Sequence, residues 1–263
     1  MKGLASATSV LPIGAGEYSA EIHPGWDIMG NANGGYLLAM AARAAAKEVE
    51  RPDPVSVTAH YLRPGKPGPV TIETQILRSG RRFAVARSTT TADDPVVAVL
   101  GTYGTLEPSG HLERLESGPP DMPPPYDCIP IEPTDTFPPP FMGQIEIRLD
   151  PAHTLSATGA PSGNLRVQGW FRLHDNEPID TIALLVAVDA FPPTIFNANL
   201  PIAWTPTVEL TAHLRARPQP GWLRCAFSTR FISGGFLEED GELWDESGTL
   251  VAQSRQLALV PRS

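Results

Sequence analysis

Val57-Thr58-Ala59-His60 returns as Leu210-Thr211-Ala212-His213, 153 residues further along the chain. The same offset carries Pro67-Gly68 onto Pro220-Gly221 and Val97-Ala98 onto Leu250-Val251. It runs without a gap from about Val55 nearly to the C-terminus. A repeated tripeptide alone is coincidence, whereas one offset held over so long a stretch reads as an internal duplication. Two copies at this spacing are too few and too long for a solenoid.

Outward from the repeat, each copy has the same grammar. Four alternating segments, Val55–Leu62, Val70–Leu77, Phe83–Thr91 and Val96–Thr105, read as strands, with turns at Pro64-Gly65, Ser79-Gly80 and Asp93-Asp94. Their counterparts are Thr207–Leu214, Leu223–Phe231, Phe236–Trp244 and Leu250–Leu259. Ahead of the first set lies a strand, Glu17–Ile22, and then Asn33-Gly34-Gly35, where Asn33 is an N-cap for a helix running to about Glu50. Ahead of the second set lie strands Ile145–Leu149 and Leu165–Leu173, and a helix capped by Asp180 and stopped by Pro192-Pro193. Both helices are apolar on every face, as in Tyr36-Leu37-Leu38-Ala39-Met40 and Ile182-Ala183-Leu184-Leu185-Val186, so both should be buried. The expected fold class is α+β: two curved antiparallel sheets, each wrapping one buried helix and joined edge to edge.

Eleven of the 29 prolines fall between Pro108 and Pro140. Such a stretch holds neither a helix nor an inner strand and reads as an extended connector. The expected division is therefore residues 1–106, a connector at 107–142, and residues 143–263.

The 263 residues carry a formal net charge of −9, which argues against a nucleic-acid or anionic-membrane binder. Cys128 and Cys225 are too few for a disulfide framework or a zinc site, pointing to a reducing compartment. The N-terminal residues lack a signal-type apolar run, and no stretch is long and apolar enough to insert in a membrane, so a cytoplasmic protein is expected. There is no Gly-x-Ser-x-Gly elbow, phosphate-binding loop, dinucleotide fingerprint or metal-spaced cluster.

The order and spacing of Asn33-Gly34-Gly35-Tyr36-Leu37-Leu38-Ala39, Val57-Thr58-Ala59-His60-Tyr61-Leu62-Arg63-Pro64, Leu77-Arg78-Ser79-Gly80-Arg81-Arg82, Thr207-Val208-Glu209-Leu210-Thr211 and Gly248–Gln256 resemble the double-hotdog acyl-CoA thioesterase II-like family. That resemblance implies two hotdog units in one chain and hydrolysis of acyl-CoA to a free acid and coenzyme A, within fatty-acid and lipid metabolism. It implies no cofactor other than the coenzyme A of the substrate. It also implies that an Asp, a Thr and a Gln of the second unit hold the hydrolytic water. Residue by residue these fall on Asp189, Thr207 and Gln256, with Thr205 and Thr211 close enough to exchange with Thr207.

Read by themselves, the residues leave alternatives open. Asp189 is the lone charge of an apolar helix, and burial together with the negative helix end should raise its basicity; it could equally reach solvent before Pro192. Gln256 alternates with Ser254 and reads as a surface side chain. Gly34 and Gly35 would either expose helix N–H groups to a thioester oxygen or allow close packing. Arg81 and Arg82, beside Arg78, would either meet coenzyme A phosphates or form a solvated turn. Subtracting 153 places Tyr36, Pro54 and Tyr103 opposite Asp189, Thr207 and Gln256, so only one copy carries the polar set. Other functional readings are a non-catalytic acyl-thioester or lipid binder and an enoyl-CoA hydratase. The hydratase would want a histidine near a helix, while His60 and His213 read as structural residues of the repeat. Exposed strand edges make a homo-oligomer the expected assembly.

Overall fold

The computed structural model describes residues 2–106, 114–134, 138–153, 161–198, 200 and 204–260. The first half contains α1 (Leu4–Ala7), β1 (Leu11–Gly14), β2 (Glu17–Ile22), a small hairpin of β3 (Asp27–Ile28) and β4 (Asn31–Ala32), and α2 (Gly34–Glu48). It continues with β5 (Asp53–Tyr61), β6 (Gly68–Ser79), β7 (Ala84–Thr91) and β8 (Pro95–Gly104). Then come β9 (Ile129–Pro130), β10 (Ile145–Leu149), β11 (Arg166–Leu173), α3 (Thr181–Ala187), β12 (Thr207–Leu214), β13 (Leu223–Ser228), β14 (Ile232–Ser233), β15 (Phe236–Asp245) and β16 (Leu250–Leu259).

Among the described residues the strands outside the small hairpin form one continuous sheet rather than two. Its order is β1-β2-β6-β7-β8-β5-β12-β16-β15-β13-β11-β10-β9, with β14 on β15. The halves mirror each other about β5 and β12, which pair antiparallel with Thr58 opposite Thr211. The repeated tripeptide thus meets itself at the seam, and the two threonine hydroxyls lie 2.8 Å apart. Each strand supplies the backbone partners that an isolated edge would leave open.

The two helices form the centre. Asn33 Oδ1 accepts from the Tyr36 N–H at 2.9 Å, and Asp180 Oδ1 from the Ala183 N–H at 2.7 Å; each cap contributes about 1 kcal/mol. Burial of Leu38, Met40, Leu184 and Leu185, none with exposed surface, adds roughly 1.5–3 kcal/mol per side chain. α2 packs across β5–β8 and against α3, which touches β5 and β12 at the seam. α3 is shorter than expected: it ends at its C-cap, Val188, before the two prolines.

Part of the proline-rich stretch lies against the second half of the sheet. β9 pairs with β10 at the edge, and the Trp170 indole N–H donates to Pro123 O at 2.9 Å. Among the described residues no helix is long and apolar enough to cross a membrane.

Candidate active site

The N-terminus of α2 meets the C-terminal end of α3, and Asp189 stands at the meeting point. Its Oδ2 accepts the Gly35 backbone N–H at 2.8 Å and the Asn33 side-chain N–H at 3.0 Å. Asn33 therefore serves both halves, capping its own helix with Oδ1 and holding the aspartate of the other half with Nδ2. A β-carbon at Gly34 would sit 2.9 Å from Asp189 Oδ2, and one at Gly35 only 2.6 Å from Leu185 O. Close approach is the reason for both glycines. The Gly35 N–H, one of the two expected oxyanion donors, is already committed to Asp189.

A cavity of about 800 Å³ opens at this junction. Asp189, Thr207 and Gln256 all line it, with Tyr61 and Glu239; Leu37, Met142, Val188, Phe191 and Phe227 supply apolar wall. Gln256 is 8% exposed, and its side-chain N–H donates to Thr207 Oγ1 at 2.9 Å. The surface reading of Gln256 is thus overturned. On β16 the face holding Ser254 and Gln256 is the buried one, while Arg255 and Leu257 point outward. Thr211 lies at the seam against Thr58, so of the two outer threonine alternatives only Thr205 also reaches the cavity.

Burial raises the Asp189 carboxyl to about 6, opposed by the Gly35, Asn33 and Gly34 donors. The expected contribution from the negative end of its own helix is therefore set against the positive end of α2, and desolvation prevails. Glu239, unrecognised in the sequence, is a second carboxyl in the wall. It is 8% exposed, lies opposite Gln256 in the β15–β16 register, and its Oε2 accepts the Thr194 N–H at 2.8 Å. Burial pushes it to about 7, assisted by the nearby charges of Asp189 and Glu238. A signal was present: Glu239 alternates with buried Leu237, Gly241 and Leu243 on one face of its strand.

Arg81 and Arg82 are exposed and do not line the cavity; the arginine in its wall is Arg63. No described histidine lines it, and His60 and His213 point outward from the seam strands. Among the described residues no three His, Cys, Asp or Glu side chains are grouped as metal ligands. The repeat offset also needs correction. Asn33 and Asp180, the two helix caps, are 147 residues apart, so the helical position matching Asp189 is Ala42 and not Tyr36. For β5 and β12 the offset of 153 holds, and Pro54 remains the counterpart of Thr207, but β8 and β16 are offset by 155 in the ladders, so the counterpart of Gln256 is Gly101 and not Tyr103.

The family model for the acyl-CoA thioesterase N-terminal domain matches residues 22–104, and that for the acyl-CoA thioesterase C-terminal domain matches residues 119–260. An uncharacterized protein of Mycobacterium tuberculosis is 30% identical over 272 residues, covering 93% of this chain and 91% of its own. A solved structure from Thermobifida fusca, provisionally described as a thioesterase II, is 34% identical with a TM-score of 0.91, covering 100% of this chain and 98% of that one. A hot dog fold protein of unknown function from Alicyclobacillus acidocaldarius, 24% identical, has a TM-score of 0.84 over 99% of this chain and 98% of its own.

Proposed function

The chain belongs to the acyl-CoA thioesterase family, and from that premise we propose that it hydrolyses acyl-CoA thioesters through a water held by Asp189, Thr207 and Gln256. The observation that carries this reading is the convergence of those three side chains, from three separate segments, on one cavity at the helix junction. Gln256 and Thr207, bonded to each other, orient the water. Asp189, raised to about 6, is largely ionised at neutral pH yet more basic than an exposed aspartate, as a general base requires. It takes the water proton as the oxygen adds to the thioester carbonyl. The tetrahedral centre then expels sulfur, giving the free acid and coenzyme A, and the proton on Asp189 passes to the products.

The apolar wall suits an acyl chain, and about 800 Å³ is within the range of small-molecule sites. We take residues 1–106 and 143–263 as the two hotdog units, with 107–142 connecting them. The test is thiol release from short, medium and long acyl-CoAs by wild-type protein at neutral pH. Turnover of at least one class is expected. Saturable binding of acyl-CoA with no release would make the protein a binder instead.

A further inference from the structure

We propose that Tyr61 is the oxyanion donor of this site, its phenolic O–H receiving the thioester oxygen as charge builds on it. This rests on the thioesterase reading and adds a residue from the first half of the chain. The Gly35 N–H is taken by Asp189, so a developing oxyanion needs another donor. Tyr61, at the end of β5, lines the cavity, and its hydroxyl is buried without a hydrogen-bond partner among the described residues. Leaving such a donor unmet costs roughly 1–3 kcal/mol, so a fold that retains one merits a functional account.

The position is specific. The point where a β-carbon of Gly34 would lie is 2.9 Å from Tyr61 Oη and also 2.9 Å from Asp189 Oδ2. The phenol and the carboxylate thus close on the same glycine, which brings the donor next to the base at the start of α2. A thioester carbonyl oxygen brought to this wall of the cavity can accept from the phenol, while the water deprotonated by Asp189 attacks the carbonyl carbon. Burial, reinforced by Asp189 and Glu209, holds the Tyr61 phenol well above its ordinary pKa, so the hydroxyl keeps its proton and donates. No proton needs to transfer: the hydrogen bond strengthens as the carbonyl electrons move onto oxygen and relaxes when the C–S bond breaks.

The test is Tyr61→Phe, which removes one oxygen and keeps the ring. Removing a single oxyanion donor lowers kcat by about 10²–10³, and KM should stay within about threefold. A trifluoromethyl-ketone analogue of acyl-CoA, which forms a tetrahedral oxyanion, should lose a similar factor in affinity. An S-alkyl coenzyme A thioether, which has no carbonyl, should bind as before. The melting temperature should hold or rise, because an unmet donor has been removed. Unchanged kcat in an active enzyme, or equal weakening of ketone and thioether, would overturn the assignment. If wild type releases no thiol, the thioesterase reading fails by itself, and the ketone–thioether contrast still decides the role of Tyr61.

Discussion

Where α2 begins, its first two residues are Gly34 and Gly35; where α3 begins, the same two places hold Thr181 and Ile182. At the first junction the missing side chains let Asp189 reach the Gly35 N–H and let Tyr61 pack directly on Gly34. At the second, Thr181 Oγ1 donates to Asp53 Oδ1 at 3.0 Å, and Asp53, 2% exposed, also holds Arg217 at 2.9 Å and the Leu106 N–H at 2.8 Å. The polar places are exchanged in the same sense: Leu214, Pro54 and Gly101 stand opposite Tyr61, Thr207 and Gln256. Duplication creates two helix junctions, and the side chains at each helix start set what stands there: a largely apolar cavity around a buried carboxylate at the first, and an aspartate tied to Thr181 and Arg217 at the second.

The most severe way to break this contrast is Gly35→Ile, which gives the first junction the residue of the second. A β-carbon already meets Leu185 O at 2.6 Å, so the helices must part, and thiol release should fall below detection with loss of stability. Gln256→Ala, which frees Thr207 and one side of the water, should lower kcat by roughly 10–100-fold while circular dichroism stays unchanged. Asp53→Ala should do the reverse, leaving kcat unaltered but lowering Tm by roughly 5–10 °C, since three donors lose a buried acceptor.

The pH dependence gives a finer comparison. The base must be ionised, so kcat/KM should fall as pH drops through about 6, where Asp189 takes its proton. Glu239, near 7, should broaden that limb, and Glu239→Gln, which can still accept from Thr194, should leave a narrower one. Both carboxyls have folded pKa values above their ordinary ones, so the native state binds protons more tightly than the unfolded chain. Stability should therefore decline as pH rises from about 4 to 7, and Glu239→Gln should flatten the upper part of that decline. The smallest effect is expected at the hairpin: Arg81→Ala should change KM by less than about twofold, whereas Arg63→Ala, in the cavity wall, should raise it several-fold.

Much of this architecture is legible in the sequence because alternation is local. Thr207–Leu214 and Leu250–Leu259 begin and end where the apolar period does, and the two helices declare burial by being apolar throughout. Asp189 is legible as the lone charge after such a helix. What resists reading depends on segments far apart in the chain. An edge-to-edge join is expected, but its register, Thr58 of β5 opposite Thr211 of β12, is set only in the assembled sheet, and the inward face of β16 is decided by its neighbours β12 and β15. Glu239 looks like one more acid in an acidic strand until its face is known. Tyr61 sits inside a family-like motif, yet its importance follows only from Gly34 and Asp189 arriving beside it. The 153-residue offset misassigns the helices and the last strand because the spacing between elements differs in the two copies.

The most direct measurement is thiol release from one saturating acyl-CoA by wild type, Asp189→Asn and Asp53→Asn side by side, each checked for folding. The account predicts that Asp189→Asn loses about 10³-fold or more in kcat while still binding acyl-CoA, and that Asp53→Asn turns over at the wild-type rate despite a lower Tm. A folded Asp189→Asn that retains wild-type turnover, or an Asp53→Asn that is folded and inactive, would contradict it.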